Sequence, residues 1–446
     1  MAEKLVVIGG VAAGMSAASK AKRVNPALEV QVYTDDEFIS YAGCGLPYFI
    51  GDVILAKQDL IAKTAEQFAR QDIAVETSVR AIQIKPADKT VILQRLNNDE
   101  IFATSYDRLV IATGARPFVP ALKNLDLNGI FTLRTIHDSL NIRRYIAEMQ
   151  PQKALVVGGG YIGLEMIENL ILHGCEVILV ERAPHIVPNM DEDMAQIVHD
   201  YLESKGVSVL TSTDINGLVG ENKIVCAAES SQGNIDCDFV LLSTGVIPNS
   251  EIAAEAGLAL GVKNAIRVNE RMETSADSIY AAGDCAVTYH LLTGQEVYIP
   301  MGTTANKQGK IAGENAGGGN ARSAGVLGTG IARVLDLEMA RTGLSENECT
   351  RLGFEVSSRT ISAKTAARYY PGAGDIHVKL TVDNNSLRVL GGQIVGFSGA
   401  AKRIDTLAAS ITTGATVKQL IDMDLAYSPP FSPVWDPVLI ALNQFA

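Results

Sequence analysis

The sequence predicts an α/β fold with two Rossmann-like domains, followed by a C-terminal α+β domain. Near the start of the chain, a short apolar strand runs into a glycine-rich loop and then a helix, and the same pattern returns after Lys153. Beyond Gly317 the pattern changes to strands of alternating apolar and polar residues, without a further glycine-rich loop. A chain of 446 residues is long enough for two or three such domains.

The composition is typical of a globular enzyme. The chain is 47% hydrophobic, and its net charge of −12 does not favour a nucleic-acid partner. No apolar run is long enough to span a bilayer, and the first residues do not resemble a secretory signal. The six cysteines include no C-x-x-C pair, which argues against a disulfide scaffold and against a zinc site. We therefore expect a cytoplasmic enzyme with no membrane partner.

The first glycine-rich loop lies between a predicted strand, Lys4–Ile8, and a helix predicted from Met15 to about Arg23. It is a variant of the G-x-G-x-x-G dinucleotide fingerprint, although an ordinary tight turn remains an alternative. The next strand, Val30–Tyr33, is followed by Thr34 where a ribose-binding acid is expected, so Asp35 is the candidate for that role. The residues predicted to contact this dinucleotide are Gly9, Gly10, Ala13, Gly14 and Asp35.

The second loop is a stronger match to the fingerprint. A strand from Ala154 leads into Gly158-Gly159-Gly160-Tyr161-Ile162-Gly163 and a helix through about Leu172. The strand Glu176–Val180 then ends at Glu181, where an acid favours NADH by bonding the ribose 2′-hydroxyl. Arg182 could instead accept the 2′-phosphate of NADPH, so both nucleotides stay open. The predicted contacts are Gly158, Gly160, Gly163 and Glu181. Two such folds imply two dinucleotides, most simply FAD and the NADH or NADPH that reduces it.

Two further segments look alike and would be exits from the nucleotide folds. Apolar strands beginning at Leu109 and Val240 are each broken by Thr-Gly and closed by a proline. The residues concerned are Thr113, Gly114 and Pro117 in the first segment, and Thr244, Gly245 and Pro248 in the second. Thr113, Gly114 and Gly245 are therefore candidate cofactor contacts.

A strand predicted from Thr274 ends in Gly283-Asp284, and the carboxyl-terminal tip of such a strand faces the ligand. A carboxylate at this tip can accept bonds from the hydroxyls of a ribityl chain, although Asp284 could also be a plain helix cap. Pro300 to Gly313 is predicted as a helix capped by Thr303 or Thr304, whose N-terminal dipole could support negative charge on a reduced flavin.

The last part of the chain follows a linker at Gly317–Asn320. Its predicted strands include Phe354–Arg359 and Ile376–Val382, and helices follow from Ala401 to Ile421. The tail from Tyr427 is rich in proline and aromatic residues, which suits a surface or another subunit's pocket better than a core.

The stretch from Ser40 to Tyr48 holds a cysteine between two glycines, just before a proline that could open a helix. At a helix N-terminus, Cys44 would be favoured as the thiolate. Five residues further on stands Phe49, so no second cysteine completes a redox pair, and we interpret the other five cysteines as structural. Cys44 would then form a mixed disulfide with a small thiol, or a sulfenic acid after meeting a peroxide.

With these motifs, the whole chain resembles the single-cysteine branch of the pyridine nucleotide–disulfide oxidoreductases. That branch contains coenzyme A-disulfide reductases, NADH oxidases, NADH peroxidases and persulfide reductases. The marks are the nonapeptide around Cys44, Ala-Ala-Gly-Asp at 281–284 and Tyr-Ser-Pro-Pro from Tyr427. The resemblance implies an FAD domain in two segments (1–117 and 246–320), an inserted NAD(P)H domain (118–245) and a dimerisation domain (321–446).

The resemblance also implies an activity: FAD-dependent reduction of coenzyme A disulfide by a homodimer. Tyr369 and Tyr427 match two tyrosines that reach the partner subunit's active site, where a phenol could protonate a leaving thiolate. Ala12 stands where oxidases and peroxidases carry a histidine. The implied coenzyme A contacts are Ser16, Lys20, Arg23, Ser40, Arg70, Asn306 and Trp435. Thr34, and Phe431 in a tail position where tyrosine is common, depart from the family pattern.

Other activities stay open. Within the same family these are NADH oxidase, peroxidase, and persulfide or polysulfide reductase. Outside it, the chain could be a flavin electron carrier or a redox sensor that hands electrons to a protein partner. That role would leave Cys44 unused, as well as the basic stripe that Lys20 and Arg23 form on the first helix.

Overall fold

The computed structural model describes residues 2–446, which contain twelve α-helices and twenty-five β-strands. The helices are α1 Ala12–Val24, α2 Leu46–Ile50, α3 Ala65–Ala69, α4 Ile136–Met149, α5 Tyr161–Leu172, α6 Glu192–Ser204, α7 Glu251–Glu255, α8 Gly302–Ala316, α9 Glu346–Arg351, α10 Ile404–Thr412, α11 Val417–Leu420 and α12 Pro437–Leu442. No helix in this range is long and apolar enough to cross a membrane.

The strands are β1 Lys4–Ile8, β2 Glu29–Tyr33, β3 Ile73–Glu76, β4 Val79–Lys85, β5 Thr90–Arg95, β6 Ile101–Ser105, β7 Arg108–Ile111, β8 Ala115–Pro117, β9 Ile130–Phe131, β10 Lys153–Val157, β11 Glu176–Val180, β12 Ser208–Leu210, β13 Ile215–Glu221, β14 Ile224–Ser230, β15 Gly233–Asp236, β16 Phe239–Leu242, β17 Val246–Pro248, β18 Ile279–Ala281, β19 Thr288–Tyr289, β20 Glu296–Val297, β21 Gly330–Val334, β22 Leu337–Gly343, β23 Val356–Lys364, β24 Asp375–Asp383 and β25 Val389–Gly396.

The first Rossmann-like sheet has the order β18-β7-β1-β2-β3, and all of its pairs are parallel. Apolar residues fill both faces of β1, as expected of a strand covered by helices on each side. Helix α1 can pack closely along α8 because Gly309 and Gly313 have no side chain. A Cβ at either position would collide with the backbone of α1. Helix α1 begins at Ala12 rather than at the predicted Met15, since three residues, Gly9 to Val11, suffice for the turn from β1.

The second Rossmann-like sheet repeats this arrangement with the order β12-β11-β10-β16-β9, again all parallel. Helix α5 follows β10 directly after the second glycine-rich loop. The two predicted strand–loop–helix units are therefore confirmed, and with them the α/β fold class.

The two Thr-Gly exits lie side by side. Strand β8 pairs antiparallel with β17, so the chain leaves the first sheet and returns to it through a two-stranded ribbon. This is the path that a second domain inserted into the first would take. The exact domain boundaries given above remain a prediction.

The third domain is built on an antiparallel sheet of order β21-β22-β25-β24-β23. Helices α10 and α12 bury apolar side chains against it, which completes the predicted α+β layout. Lys379 on this sheet lies almost fully buried among Asp191, Asp193 and Glu346, with nitrogen–oxygen distances of 3.2, 2.8 and 3.0 Å. Because Asp191 and Asp193 lie at the start of α6, this ion cluster ties the third domain to the second.

Two local predictions are wrong. The strand predicted from Thr274 is ordered as strand only at Ile279–Ala281, because the residues before it form a turn around Ser278. Helix α8 is capped neither by Thr303 nor by Thr304. Its N-cap is Met301, which makes no side-chain capping bond, while Thr304 is buried and Thr303 lies exposed in the first turn.

Candidate active site

Cys44 lies in a short 3-10 turn, Gly43–Gly45, that passes directly into helix α2. Pro47 stands in the first turn of α2, as predicted. Cys44 is the exposed cysteine of the chain, whereas Cys226 is partly buried and the remaining four are buried. Ser40 fixes the start of this stretch, since its N–H donates to the Gly10 carbonyl at 2.8 Å and so ties the cysteine loop to the first glycine-rich loop.

The electrostatics of Cys44 differ from the expectation. Although the residue is exposed, protein atoms surround its thiol on several sides, and this burial is the largest cause of its raised pKa, followed by the negative charges of Glu165 and Asp284. Arg134 acts in the opposite direction and lowers this pKa. The raised pKa runs against the predicted preference for the thiolate, and α2, whose N-terminus is expected to favour the thiolate, has only five residues.

The first glycine-rich loop has the shape that a dinucleotide needs. Gly9 adopts φ +115°, where a Cβ would collide with the Ala112 carbonyl, and a Cβ at Gly10 would lie 2.8 Å from the Thr34 side chain. Helix α1 has no side-chain cap, so the N–H groups of its first turn are available to a phosphate. These residues fit FAD.

Asp284 is held by three neighbours that belong to different parts of the chain. Its carboxylate pairs with Arg134 at 2.7 Å, and its backbone carbonyl accepts from the Tyr298 hydroxyl at 2.8 Å. Buried Gln308 accepts from the Gly283 N–H and donates to the Val287 carbonyl, both at 2.8 Å. These contacts fix the turn that carries Asp284; its role in binding a ribityl chain stays a prediction.

Two other residues predicted to contact FAD, Thr113 and Asp35, bind other parts of the chain. The Thr113 hydroxyl donates to the Asn249 carbonyl at 2.5 Å, and Gly114 adopts φ +68° in the turn that follows. Asp35 lies on the surface and pairs with Arg80 at 3.5 Å rather than pointing freely at the end of β2. The role predicted for Asp35 stays a prediction.

The second glycine-rich loop is formed in the same way as the first. Gly158 adopts φ +110°, and a Cβ added there would lie 2.5 Å from the Ser243 carbonyl oxygen. The space around Gly160 and Gly245 is open. The Glu181 carboxylate accepts from the N–H groups of Gly159 and Ala183, each at 2.8 Å, and so points at the loop. Helix α5 again has no side-chain cap. These residues fit a nicotinamide dinucleotide.

The sequence interpretation missed two charged residues beside Cys44. Arg134 precedes α4 by two positions, and no sequence pattern links it to Asp284, which lies 150 residues away. Glu165 on α5 has a pKa raised to about 7, first by burial and then by Glu168, while a hydrogen bond from Tyr48 lowers it. Helix α5 is mostly apolar, and the presence of two acids in it, Glu165 and Glu168, was a signal that could have identified Glu165.

The proposed coenzyme A contacts fall into separate places. Ser16 and Asn306 are brought together, with their side-chain oxygens 2.8 Å apart across α1 and α8. Lys20 pairs with Glu314 at 2.9 Å, so the basic stripe is partly neutralised, while Arg23 is exposed and bonds only the Ser19 carbonyl. Arg70 is an exposed residue at the end of α3.

The aromatic residues of the third domain form an exposed cluster. The hydroxyls of Tyr369 and Tyr427 lie 3.4 Å apart. Both side chains are exposed, as are those of Phe431 and Trp435, at 77% and 59%. Large aromatic side chains at this level of exposure are typical of a surface that another chain covers.

Two family models match the chain. The model described as pyridine nucleotide-disulphide oxidoreductase covers residues 3–309, and that family's dimerisation domain covers residues 331–437. Curated relatives match over nearly the full length. An "NADH oxidase" of Methanocaldococcus jannaschii is 39% identical over 99% of this chain and 98% of its own. An "NAD(P)H coenzyme A polysulfide/persulfide reductase" of Pyrococcus horikoshii is 37% identical at the same coverage. A "Coenzyme A disulfide reductase" of Staphylococcus haemolyticus is 32% identical over 96% of each chain.

Solved structures agree with these relatives. Reduced CoADR-RHD of Bacillus anthracis superposes with a TM-score of 0.96 at 36% identity, covering all of this chain and 80% of its own. An NAD-dependent persulfide reductase from A. fulgidus gives the same TM-score at 39% identity, over 99% of this chain and 82% of its own. The chain belongs to the pyridine nucleotide-disulphide oxidoreductase family.

Proposed function

We propose that this protein reduces coenzyme A disulfide, or a related low-molecular-weight disulfide, at the expense of NAD(P)H, with Cys44 as the redox cysteine. Cys44 carries this proposal because it is the exposed cysteine beside the first glycine-rich loop, with no second cysteine in its turn or in α2. FAD and NAD(P)H are the cofactors of the family. When bound, FAD supplies an electron pair that NAD(P)H delivers as a hydride and that a disulfide can accept.

The chain's own residues would handle the sulfur chemistry. The Cys44 thiolate attacks coenzyme A disulfide, one coenzyme A thiolate leaves and takes up a proton to become its thiol, and Cys44 remains joined to the other half through a mixed disulfide. Reduction of that bond by two electrons and one proton regenerates the Cys44 thiolate and releases the second coenzyme A as its thiol. The net reaction consumes one NAD(P)H, one proton and one disulfide, and yields NAD(P)⁺ and two thiols.

Arg134 would hold the Cys44 sulfur as the thiolate, since it is the cation that lowers the cysteine's pKa. We further propose a homodimer in which Tyr369 and Tyr427 of one subunit protonate the thiolate that leaves the other subunit's Cys44. Their paired, exposed hydroxyls and the family's dimerisation domain support this arrangement. Ser16, Asn306 and the basic residues of α1 would bind the nucleotide end of coenzyme A.

A second candidate function is reduction of coenzyme A persulfides or polysulfides. It is supported by the similarity to the Pyrococcus horikoshii reductase and to the persulfide reductase structure from A. fulgidus. Both functions use the same cysteine–sulfur exchange at Cys44. A stable sulfenic acid is disfavoured, because Ala12 offers no side-chain donor beside the cysteine.

Mass spectrometry of the untreated protein tests the proposal. We expect a reducible adduct of coenzyme A mass on the Cys44 peptide, and we expect Cys44→Ser to abolish NAD(P)H consumption with coenzyme A disulfide. A bare thiol together with full turnover by Cys44→Ser would show that the mechanism is wrong. Steady-state rates with coenzyme A disulfide, polysulfide, peroxide and oxygen then rank the four substrates.

A further inference from the structure

Helix α2, which follows Cys44, is held at its far end by side chains of the second Rossmann-like unit and its approach segment. Arg143 on α4 donates to the Phe49 carbonyl and lies over the Phe49 ring, with its guanidinium carbon 4.3 Å from the ring centroid. The same guanidinium pairs with Asp52 at 2.6 Å. Arg143 therefore contacts the end of α2 through a hydrogen bond and a cation–π contact, and it contacts the residue beyond the α2 C-cap through an ion pair.

His173 holds the next carbonyl of the same helix. Its Nε2 lies 2.7 Å from the Ile50 oxygen, and because a carbonyl can only accept, Nε2 is the nitrogen that carries the proton. His173 is the C-cap residue of α5, so it is fixed by the helix whose other end borders the second glycine-rich loop. Two basic side chains thus face the carbonyl end of α2, where the helix dipole is negative.

The contact between α2 and α5 is close enough to exclude a side chain. A Cβ at Gly51, the C-cap of α2, would collide with the Asn169 amide. Asn169 is fully buried on α5, and its Oδ1 accepts no hydrogen bond within residues 2–446. Tyr48 on α2 also lies close enough to Glu165, one turn earlier on α5, to lower the pKa of that carboxyl. Helix α2 therefore rests along α5, and its position follows that helix.

We infer that Arg143 and His173 are positioning residues for the redox cysteine. They bind the last carbonyls of α2 and so fix the position of this short helix relative to α5. The Gly43–Gly45 turn lies at the other end of α2, so the position of Cys44 is fixed as well. This inference deepens the proposed function and rests on Cys44 being the redox cysteine. Neither residue contacts the Cys44 sulfur, so each acts through the helix.

The pKa of Cys44 should change when the contacts of Arg143 and His173 with α2 are removed. Burial by the protein atoms around the thiol is the main cause of the raised pKa of Cys44, and the charge of Glu165 is the next. Release of α2 from α5 moves the thiol away from Glu165 and from the protein atoms that surround it, so the apparent pKa of Cys44 should fall. The same displacement should lower kcat while leaving the KM for NAD(P)H nearly unchanged, because the second glycine-rich loop is untouched.

The test is the pH profile of Cys44 alkylation by iodoacetamide in the full-length, FAD-loaded protein, read by mass spectrometry of the Cys44 peptide. Arg143→Gln and His173→Leu should each increase alkylation at pH 7 by about threefold or more. His173→Gln keeps an N–H donor near the position of Nε2 and should restore the wild-type profile. Arg144→Gln is the matched control: it removes the same charge from α4, but at an exposed residue that does not hold α2.

Two outcomes would overturn the inference: profiles of Arg143→Gln and His173→Leu that coincide with wild type, or an equal shift in Arg144→Gln. Thermal melting and the flavin absorbance of each variant show whether it is folded, and Arg143→Lys serves if Arg143→Gln does not fold. Alkylation reports the position of Cys44 whether or not the enzyme turns over coenzyme A disulfide. Failure of the proposed function, seen as unchanged turnover in Cys44→Ser, is therefore distinguishable from failure of this inference.

Discussion

Among single residues, Glu165 links protonation to the redox site. Its carboxyl is partly buried on α5, and its pKa of about 7 means that the charge beside Cys44 changes within the physiological range. When Glu165 ionises, its negative charge raises the pKa of Cys44 and opposes formation of the thiolate. Arg134 acts against it from the other side of the thiol.

We expect Glu165→Gln to lower the apparent pKa of Cys44 and to remove one ionisation near pH 7 from the pH profile of thiol reactivity. The stability of the folded chain should change as well. The folded state keeps the Glu165 proton up to about pH 7, whereas the unfolded chain releases it near 4.5, so the free energy of unfolding falls as the pH rises through this window.

Chemical denaturation of wild type and Glu165→Gln between pH 5 and 8 measures this effect. The slope should differ between the two proteins within the window and be the same above it, where both states of wild type are ionised. Parallel slopes throughout would contradict the assignment of the raised pKa to Glu165. Labelling of Cys44→Ser under the same conditions gives the background for the thiol experiment.

Glu181 is the residue that we expect to select between NADH and NADPH. Its carboxylate is fixed by two backbone N–H groups at the end of β11, where it would accept from a ribose 2′-hydroxyl and repel a 2′-phosphate. Glu181→Gln keeps an acceptor but removes the charge, and it leaves Arg182 free to attract the phosphate. We expect the ratio of kcat/KM for NADH to that for NADPH to fall about tenfold. A ratio within twofold of wild type would show that Glu181 does not select the nucleotide.

Among the elements, the turn between β18 and α8 illustrates how a distant side chain fixes a ligand-binding group. Gln308 bonds the backbone on both sides of Asp284, from a helix that begins 18 residues further along the chain. Gln308→Leu would leave a buried N–H and a buried carbonyl without partners, at a cost of roughly 1–3 kcal/mol for each group.

We therefore expect Gln308→Leu to weaken FAD retention about 10- to 100-fold, because the Asp284 turn loses its support. The rise of flavin fluorescence on dilution of the loaded protein measures this loss. Gln196→Leu is the control, since Gln196 lies exposed on α6 and bonds only Asp200. Equal flavin release from the two variants would mean that Gln308 does not support the FAD site.

The same elements mark how far the sequence alone could predict the fold and the site. The two strand–loop–helix units follow from local patterns of apolar residues and glycines, so they were predictable. The predicted Thr303 or Thr304 cap was wrong, because α8 begins at Gly302 after an N-cap, Met301, that makes no side-chain capping bond, and both threonines lie within its first turn. Arg134 and Gln308 act on Asp284 across long sequence separations, and no local pattern encodes such contacts.

At the scale of the whole molecule, Cys44 and the two tyrosines proposed to act with it lie on different domains. Cys44 lies near the first Rossmann-like sheet, whereas Tyr369 and Tyr427 lie on the exposed aromatic surface of the third domain. In a twofold dimer, each active site would combine Cys44 of one subunit with the tyrosines of the other, since an isologous interface repeats the same contacts twice.

This arrangement predicts complementation between two defective subunits. Cys44→Ser and the double variant Tyr369→Phe/Tyr427→Phe should each lose most activity as homodimers. In the hybrid dimer one site carries both defects and the other carries neither, so co-expression with two affinity tags should yield a purified hybrid with about half of the wild-type activity. If the tyrosines served the cysteine of their own chain, neither site of the hybrid would be intact and its activity would stay at the level of the parents. Substituting Tyr370, an exposed neighbour outside the hydroxyl pair, by Phe controls for changes to the aromatic surface and should leave turnover intact.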